Sequence, residues 1–200
     1  TIVGGGTVGF NAARLGRALG AYTTILDINL DRLRQISLRT SGEIETVVAT
    51  PANVSDLMKE TDVAVGAILV PGASAPKVIT TPMVESMRKG SLIIDVAIDQ
   101  GGSVEGIRPT THKRPIYSCH GVNHYAVPNM PGIVGNTSSI SLSNGTYGYL
   151  LRLANSGIVD TIRGDKVMAA GVNTLKGQVT HKAVANSLGV EHVPVEQALD

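Results

Sequence analysis

The chain has 200 residues, of which only 16% are charged, and its 17 Lys and Arg nearly balance 16 Asp and Glu for a net charge of +1. That balance, with no basic block, one Phe and no Trp, argues against a charged groove or aromatic platform for nucleic acid. The low charge and slightly positive mean hydropathy point to surface covered by partner subunits or by a region outside these residues, and an oligomer is expected.

Thr1 to Val3 is apolar and β-branched, and Gly4, Gly6 and Gly9 follow in G-x-G-x-x-G spacing. With 23 glycines in the chain such spacing arises by chance, so context must carry it. Here a strand precedes it, and Asn11 to Leu19 reads as a helix closing on Gly20. Gly4 would turn the chain out of the strand, Gly6 would let backbone approach a pyrophosphate, and Gly9 would let the helix sit close to the sheet. The helix N-terminus then faces the phosphates. Only three residues precede Gly4, where a strand usually has about five or six, and the first is not Met. An upstream segment is therefore expected, and with it part of any active site.

Further along, Tyr22 to Leu26, Thr46 to Ala49, Val63 to Ile68 and Leu92 to Val96 read as central parallel strands. Between them lie helical patterns at Asp31 to Ile36, Ser55 to Glu60 with Ser55 as N-cap, and Thr81 to Met87 with Pro82 at the first position. This alternation predicts a doubly wound α/β parallel sheet over residues 1–135. The breakers Pro128, Pro131, Gly132 and Gly135 mark a hinge or domain boundary, with residues 136–200 as a second domain. There, Thr137 to Asn155 reads as a long helix interrupted near Gly145 and Gly148 and closed by Gly157. A polar loop around Gly171 to Gly177, a helix from His181 to Leu188 and a turn at Glu196 to Leu199 complete the chain. The apolar stretch from Val63 to Pro71 is far short of the ~20 residues of a membrane helix, so no membrane association is expected. Cys119 is the only cysteine. It reads as a small buried residue in a reducing, cytoplasmic compartment.

Asp27 stands 18 residues after Gly9, where a carboxylate accepts both ribose hydroxyls of an adenosine. This favours NAD, although Arg32, a turn into the next helix, softens the repulsion of a 2′-phosphate. The alternative for Asp27 is a helix N-cap. Asp99 should lie at the carboxyl edge of the sheet, where ligands bind, and Gly101 and Gly102 after it suggest close backbone approach. There it would orient water or pair with a cationic intermediate, or else cap the amides of a turn. His112, His120 and His124 do not make a metal site, since no helix surrounds them and no further ligand sits at suitable spacing. Arg108, in a polar loop, is either solvated or a phosphate or ribose contact. No hydrolase or P-loop motif is present.

Together, Gly4-Gly5-Gly6-Thr7-Val8-Gly9, Leu26 to Asn29, Gly66 to Ala73, Asp95 to Gly102 and His124 to Gly132 resemble the alanine dehydrogenase family. That family also includes the NAD-binding subunit of proton-translocating transhydrogenases. The likeness continues through Gly171 to Thr174 and Pro194 to Glu196. It implies that NAD is held by Thr7 and Val8 at the glycine turn, by Asp27 on the adenosine ribose with Arg32 nearby, and by Ile68 and Leu69 beside the adenine or ribose. It also implies contacts from Val96, Ala97, Ile98, Asp99 and Arg108, and from Val127, Pro128, Asn129 and Met130. Asp99 matches the family's catalytic aspartate, while a histidine, an arginine and a lysine for the substrate belong to an N-terminal domain. The implied reaction is reversible oxidative deamination of L-alanine to pyruvate and ammonium by a hexamer, in which residues 136–200 return to the substrate domain. The chain departs from the family at Pro128, where Ala is usual, and at Gly145 and Gly148. The alternatives are the transhydrogenase subunit, a dehydrogenase of another amino acid, and a non-catalytic NAD-binding module. These 200 residues alone are expected to turn over nothing.

Overall fold

A computed structural model describes residues Thr1–Asp200. The chain divides into two compact units, Thr1–Val70 with Ser74–Met130, and Pro71–Ala73 with Pro131–Asp200.

In the first unit strands and helices alternate: β1 (Ile2–Val3), α1 (Thr7–Ala18), β2 (Thr24–Asp27), α2 (Leu30–Arg39), β3 (Glu45–Val48), α3 (Pro51–Met58), β4 (Val63–Gly66), α4 (Thr81–Ser86) and β5 (Leu92–Asp95). A hairpin of β6 (Ile116–Cys119) and β7 (Val122–Tyr125) follows. The sheet runs β3-β2-β1-β4-β5-β7-β6 and is parallel except for the β6–β7 pair. This is a Rossmann fold, and its strand order reverses between β1 and β4.

Adjacent residues in β1 and β2 feed opposite faces, as the two-residue period of a strand requires. Val3 and Leu26 join Val54, Met58, Ile79 and Ile93 in one core cluster. Ile2 and Ile25 join Ala13, Leu33, Ile36 and Ile44 in the other. Burial on both faces explains why these strands read as unbroken apolar runs.

Several elements differ from the sequence-based expectation. Helix α1 begins at Thr7, a turn before Asn11. Helix α3 is capped by Thr50, whose side chain accepts from the Asn53 N–H, and Pro51 opens it; Ser55 lies in its interior. Thr80 caps α4, so Pro82 is its second residue. Asn29, not Asp27, caps α2, accepting from the Arg32 N–H at 3.0 Å. The β6–β7 hairpin was not anticipated: its strands are only four residues long, and its turn, left-handed at both His120 and Gly121, carries His where Asn or Asp is the usual signal.

The second unit is mainly helical. Helix α5 runs unbroken over Gly135–Ser156, contrary to the expected interruption. Gly145 and Gly148 weaken it by about 1 kcal/mol each, which does not break a cooperative ladder of this length. Gly157, at φ 75°, turns the chain into α6 (Ile158–Gly164), and α7 is Lys166–Ala170. The expected loop near Gly177 is instead a hairpin of β8 (Thr174–Leu175) and β9 (Gln178–Val179), followed by α8 (Lys182–Leu188) and α9 (Val195–Leu199). No helix is long and apolar enough to cross a membrane.

A Cβ at Gly9 would overlap the Gly4 carbonyl oxygen, whereas one at Gly145 would meet no atom within 4 Å. Gly9→Ala should therefore lose about 1–3 kcal/mol by urea denaturation, while Gly145→Ala should gain up to about 1 kcal/mol. His124 on β7 is only 4% exposed and stacks on Tyr117 at 5.0 Å between ring centroids. Burial pushes its pKa below the ordinary 6.5, so the folded state prefers the neutral ring. Its stabilising effect is complete above pH 6.5 and is lost as pH falls from 6.5 through the lowered folded value. NMR titration should show a midpoint below 6.5, and His124→Gln should reduce the loss of stability across that window.

Candidate functional site

The site is built on the C-terminal edge of the Rossmann sheet, beginning with the turn after β1. The Gly4 N–H donates to the Leu26 carbonyl at 2.8 Å, and with φ at 108° a Cβ there would lie 2.6 Å from the Ala67 carbonyl oxygen. Packing thus demands glycine at 4 and 9. Gly6 is different: its φ is −67° and nothing lies within 4 Å of where its Cβ would project. The protein's own packing leaves that position open, as expected where a ligand approaches the backbone. Gly6 is also the N-cap of α1 and no side chain caps that end. The first turn therefore presents backbone N–H groups and the positive end of the helix dipole.

These groups border a cleft of about 640 Å³ at the switch point of the sheet. Gly4, Gly6, Thr7, Asp27, Arg32, Ile68 and Leu69 all line it. Asp27 is half-buried, with Oδ2 accepting from the Gly5 N–H at 2.7 Å and Oδ1 from the Asn29 N–H at 2.8 Å. Arg32 reaches back to the Gly5 carbonyl at 3.4 Å. The far wall is apolar, with Ala49, Pro51, Val54, Val78 and Met83, none of which was a sequence candidate. Pro51 and Val54 on α3 and Met83 on α4 carried only ordinary core patterning, and Ala49 and Val78 lie in the segments before those helices. Lys77 also lines the cleft and was missed; its Nζ donates to the carbonyls of Gly101 and, at 2.8 Å, Gly102.

Val8 and Gly9 stand outside this lining: Val8 is half exposed and Gly9 is buried on the sheet-facing side of α1. A second cluster forms where β5 and β7 end. Val96 to Gln100 make a 3-10 turn in which Ala97 and Ile98 are buried and Asp99 is exposed. The Asn129 N–H lies 3.3 Å and 3.4 Å from the two Asp99 carboxylate oxygens, and Asn129 holds a left-handed φ of 53°. Val127 is buried beneath it, with Pro128 and Met130 half-buried. Arg108 belongs to neither cluster. Its guanidinium lies 4.4 Å over the Tyr117 ring and its N–H donates to the Tyr117 hydroxyl.

The residue that shapes the Asp99 turn is Asp95, fully buried at the end of β5. Oδ1 accepts from the Ala97 N–H at 2.9 Å and the Ser103 hydroxyl at 3.3 Å. Oδ2 accepts from the N–H groups of Ser103 at 2.7 Å and Val104 at 3.1 Å. No cation neutralises it; backbone dipoles do. The D-x-x-x-D spacing of Asp95 and Asp99 carried this information, but an acid at the end of an apolar strand reads as part of the strand.

Asp95→Asn supplies one oxygen where two are used, so at least one buried backbone N–H loses its acceptor. A loss of about 1–3 kcal/mol is expected by urea denaturation, with faster amide exchange at Ser103 and Val104. Unchanged stability and exchange would contradict this role.

The site's geometry can be set beside known proteins. Residues 1–182 match the family described as alanine dehydrogenase/PNT, C-terminal domain. The whole chain is 50% identical to alanine dehydrogenase of Bacillus subtilis over 200 residues, which is 53% of that protein's length. It is 46% identical to that of Staphylococcus haemolyticus, across 54% of its length. Among solved structures, an L-alanine dehydrogenase superposes with a TM-score of 0.83 at 41% identity, over 94% of this chain and 52% of that one. A transhydrogenase from Sinorhizobium meliloti, at 23% identity and a TM-score of 0.72 over 91% of this chain and 49% of that one, shares the fold. The chain spans about half the length of the curated relatives it matches, and it belongs to the alanine dehydrogenase/PNT C-terminal domain family.

Proposed function

We propose that this chain is the NAD-binding half of an alanine dehydrogenase, with residues 1–135 holding the dinucleotide and residues 136–200 contributing to the substrate domain. The observation that carries the cofactor reading is the open space at Gly6, bordered by the uncapped first turn of α1 and, in the same cleft, by the Asp27 carboxylate. The pyrophosphate lies against Gly6 and Thr7 in this reading, with the Val8 N–H offered from the same uncapped first turn of α1. Asp27 accepts from the adenosine ribose, and the apolar slot between Ile68, Val54 and Met83 suits the adenine ring. Asp27, held by two backbone N–H groups, stands where a 2′-phosphate would meet its charge, which favours NAD over its phosphorylated form.

When bound, the nicotinamide supplies a hydride acceptor for the α-carbon of L-alanine. What the chain adds is charge and orientation. Asp99 is exposed at the sheet edge and its carboxylate accepts only from the Asn129 N–H, which leaves it able to stabilise the cationic iminium of the substrate. It also orients the water that hydrates the iminium, after which collapse releases pyruvate and ammonium. A general acid–base partner and groups for the substrate carboxylate come from outside these residues. A homohexamer in the cytoplasm completes the reading. It gives cover to apolar residues such as Ile140, Leu142 and Leu150 that α5 exposes.

In the full-length protein, Asp99→Ala should lower the turnover of alanine oxidation at least about a hundredfold while NADH affinity stays near wild type. Near-normal turnover would remove Asp99 from this role. NADH binding without any alanine-dependent NADH formation in the wild type would favour a transhydrogenase subunit or a non-catalytic module.

A further inference from the structure

On the other side of the glycine turn, α1 and α2 leave a groove of about 240 Å³ lined by Arg14, Arg32 and Arg39 together with Phe10, Asn11 and Gln35. No carboxylate lines it. Of the chain's seven other arginines, Arg17, Arg34, Arg88 and Arg152 each have an acidic partner, while Arg108, Arg114 and Arg163 have none. The acids closest in sequence to the groove are engaged elsewhere: Asp27 by two backbone N–H groups, Asp31 by Arg34, and Glu43 by Arg17. Two of the three groove arginines converge on one ring, with the Arg14 and Arg39 guanidinium carbons 5.9 Å and 4.9 Å from the Phe10 centroid. Phe10 thus gathers like charges that would otherwise spread into solvent.

We infer that this groove is a binding site for a phosphate-bearing small molecule, distinct from the dinucleotide cleft. Guanidinium forks match phosphate oxygens in paired hydrogen bonds. Three of them exceed what a single carboxylate would neutralise and suit a multiply charged phosphate group. Gln35 adds a neutral donor, whereas the Asn11 amide is already committed to the Thr7 carbonyl at 2.8 Å. The groove and the cleft share Gly6, Thr7 and Arg32. An anion in the groove therefore sets negative charge beside the cleft's phosphate end and weakens dinucleotide binding, with the reciprocal effect of dinucleotide on the anion. The site itself stands on the groove alone; this antagonism rests on the NAD reading above.

The test uses the full-length protein and the double variant Arg14→Gln/Arg39→Gln, since neither residue lines the cleft. Pyrophosphate and NADP+ are titrated separately by calorimetry at ionic strength held constant with NaCl, and NADH affinity is read by nicotinamide fluorescence in the same samples. The expected result is a pyrophosphate Kd raised at least about tenfold in the variant, with NADH affinity within about twofold of wild type. Weakening of pyrophosphate identifies a free anion as the occupant. Weakening confined to NADP+ identifies the 2′-phosphate of a dinucleotide lying in the adjoining cleft; either supports the phosphate site. Equal affinity of wild type and variant for both ligands would overturn it. Wild-type protein that binds pyrophosphate through these arginines but not NADH would overturn the dehydrogenase reading and leave the groove standing.

Discussion

The structure depends on backbone packed directly against backbone at the turn between β1 and α1. Gly4 lies against the Ala67 carbonyl at the end of β4, and Gly9 lies against the Gly4 carbonyl. No side chain fits in either gap. With both closed, α1 starts as soon as the turn ends, its first N–H groups face the switch point of the sheet, and the ends of β2 and β4 supply the walls of the cleft. Gly6, between them, has no atom within 4 Å of where its Cβ would project, so the turn constrained by packing at Gly4 and Gly9 also holds an open position.

Three carboxylates at the C-terminal edge show how local hydrogen bonding divides structure from chemistry. Asp95 accepts from three backbone N–H groups and a hydroxyl, and is fully buried; its capacity is consumed in shaping the turn that follows. Asp27 accepts from two N–H groups and remains half-buried on the cleft wall, so it can both brace the glycine turn and meet a ligand. Asp99 accepts from one N–H at long range and is exposed. The less the fold uses a carboxylate, the more remains for a substrate.

Legibility in the sequence followed the range of the interaction. The glycine spacing, Asp27 and Arg32 could be read because each follows a strand end by a short, stereotyped distance, whereas Ile68 and Leu69 were reached only through the family resemblance; Gly4, Gly6, Asp27, Arg32, Ile68 and Leu69 line one cleft. Thr50-Pro51 was legible in principle as a cap and first residue, but Ser55 offered a competing local signal. The β6–β7 hairpin was hidden because its strands are only four residues long and His120, rather than Asn or Asp, precedes Gly121 in the turn. The continuity of α5 could not be judged from two glycines, since their cost is local and the hydrogen-bond ladder is collective. The apolar wall of the cleft, from Ala49 to Met83, was hidden for another reason: core and ligand-facing residues share one chemistry until the space beside them is known.

By itself the sequence determined the alternation of strand and helix, the glycine turn and the acids at strand ends, because each is set by residues only a few positions apart. The tertiary structure alone decided what those residues face. Parallel strands bring together segments tens of residues apart, and only that assembly shows that Gly6 opens on empty space while Gly4 and Gly9 do not. Likewise, only the sheet reveals that Asp95 is buried among amides, and only the pairing of α1 with α2 draws Arg14, Arg32 and Arg39 into one groove.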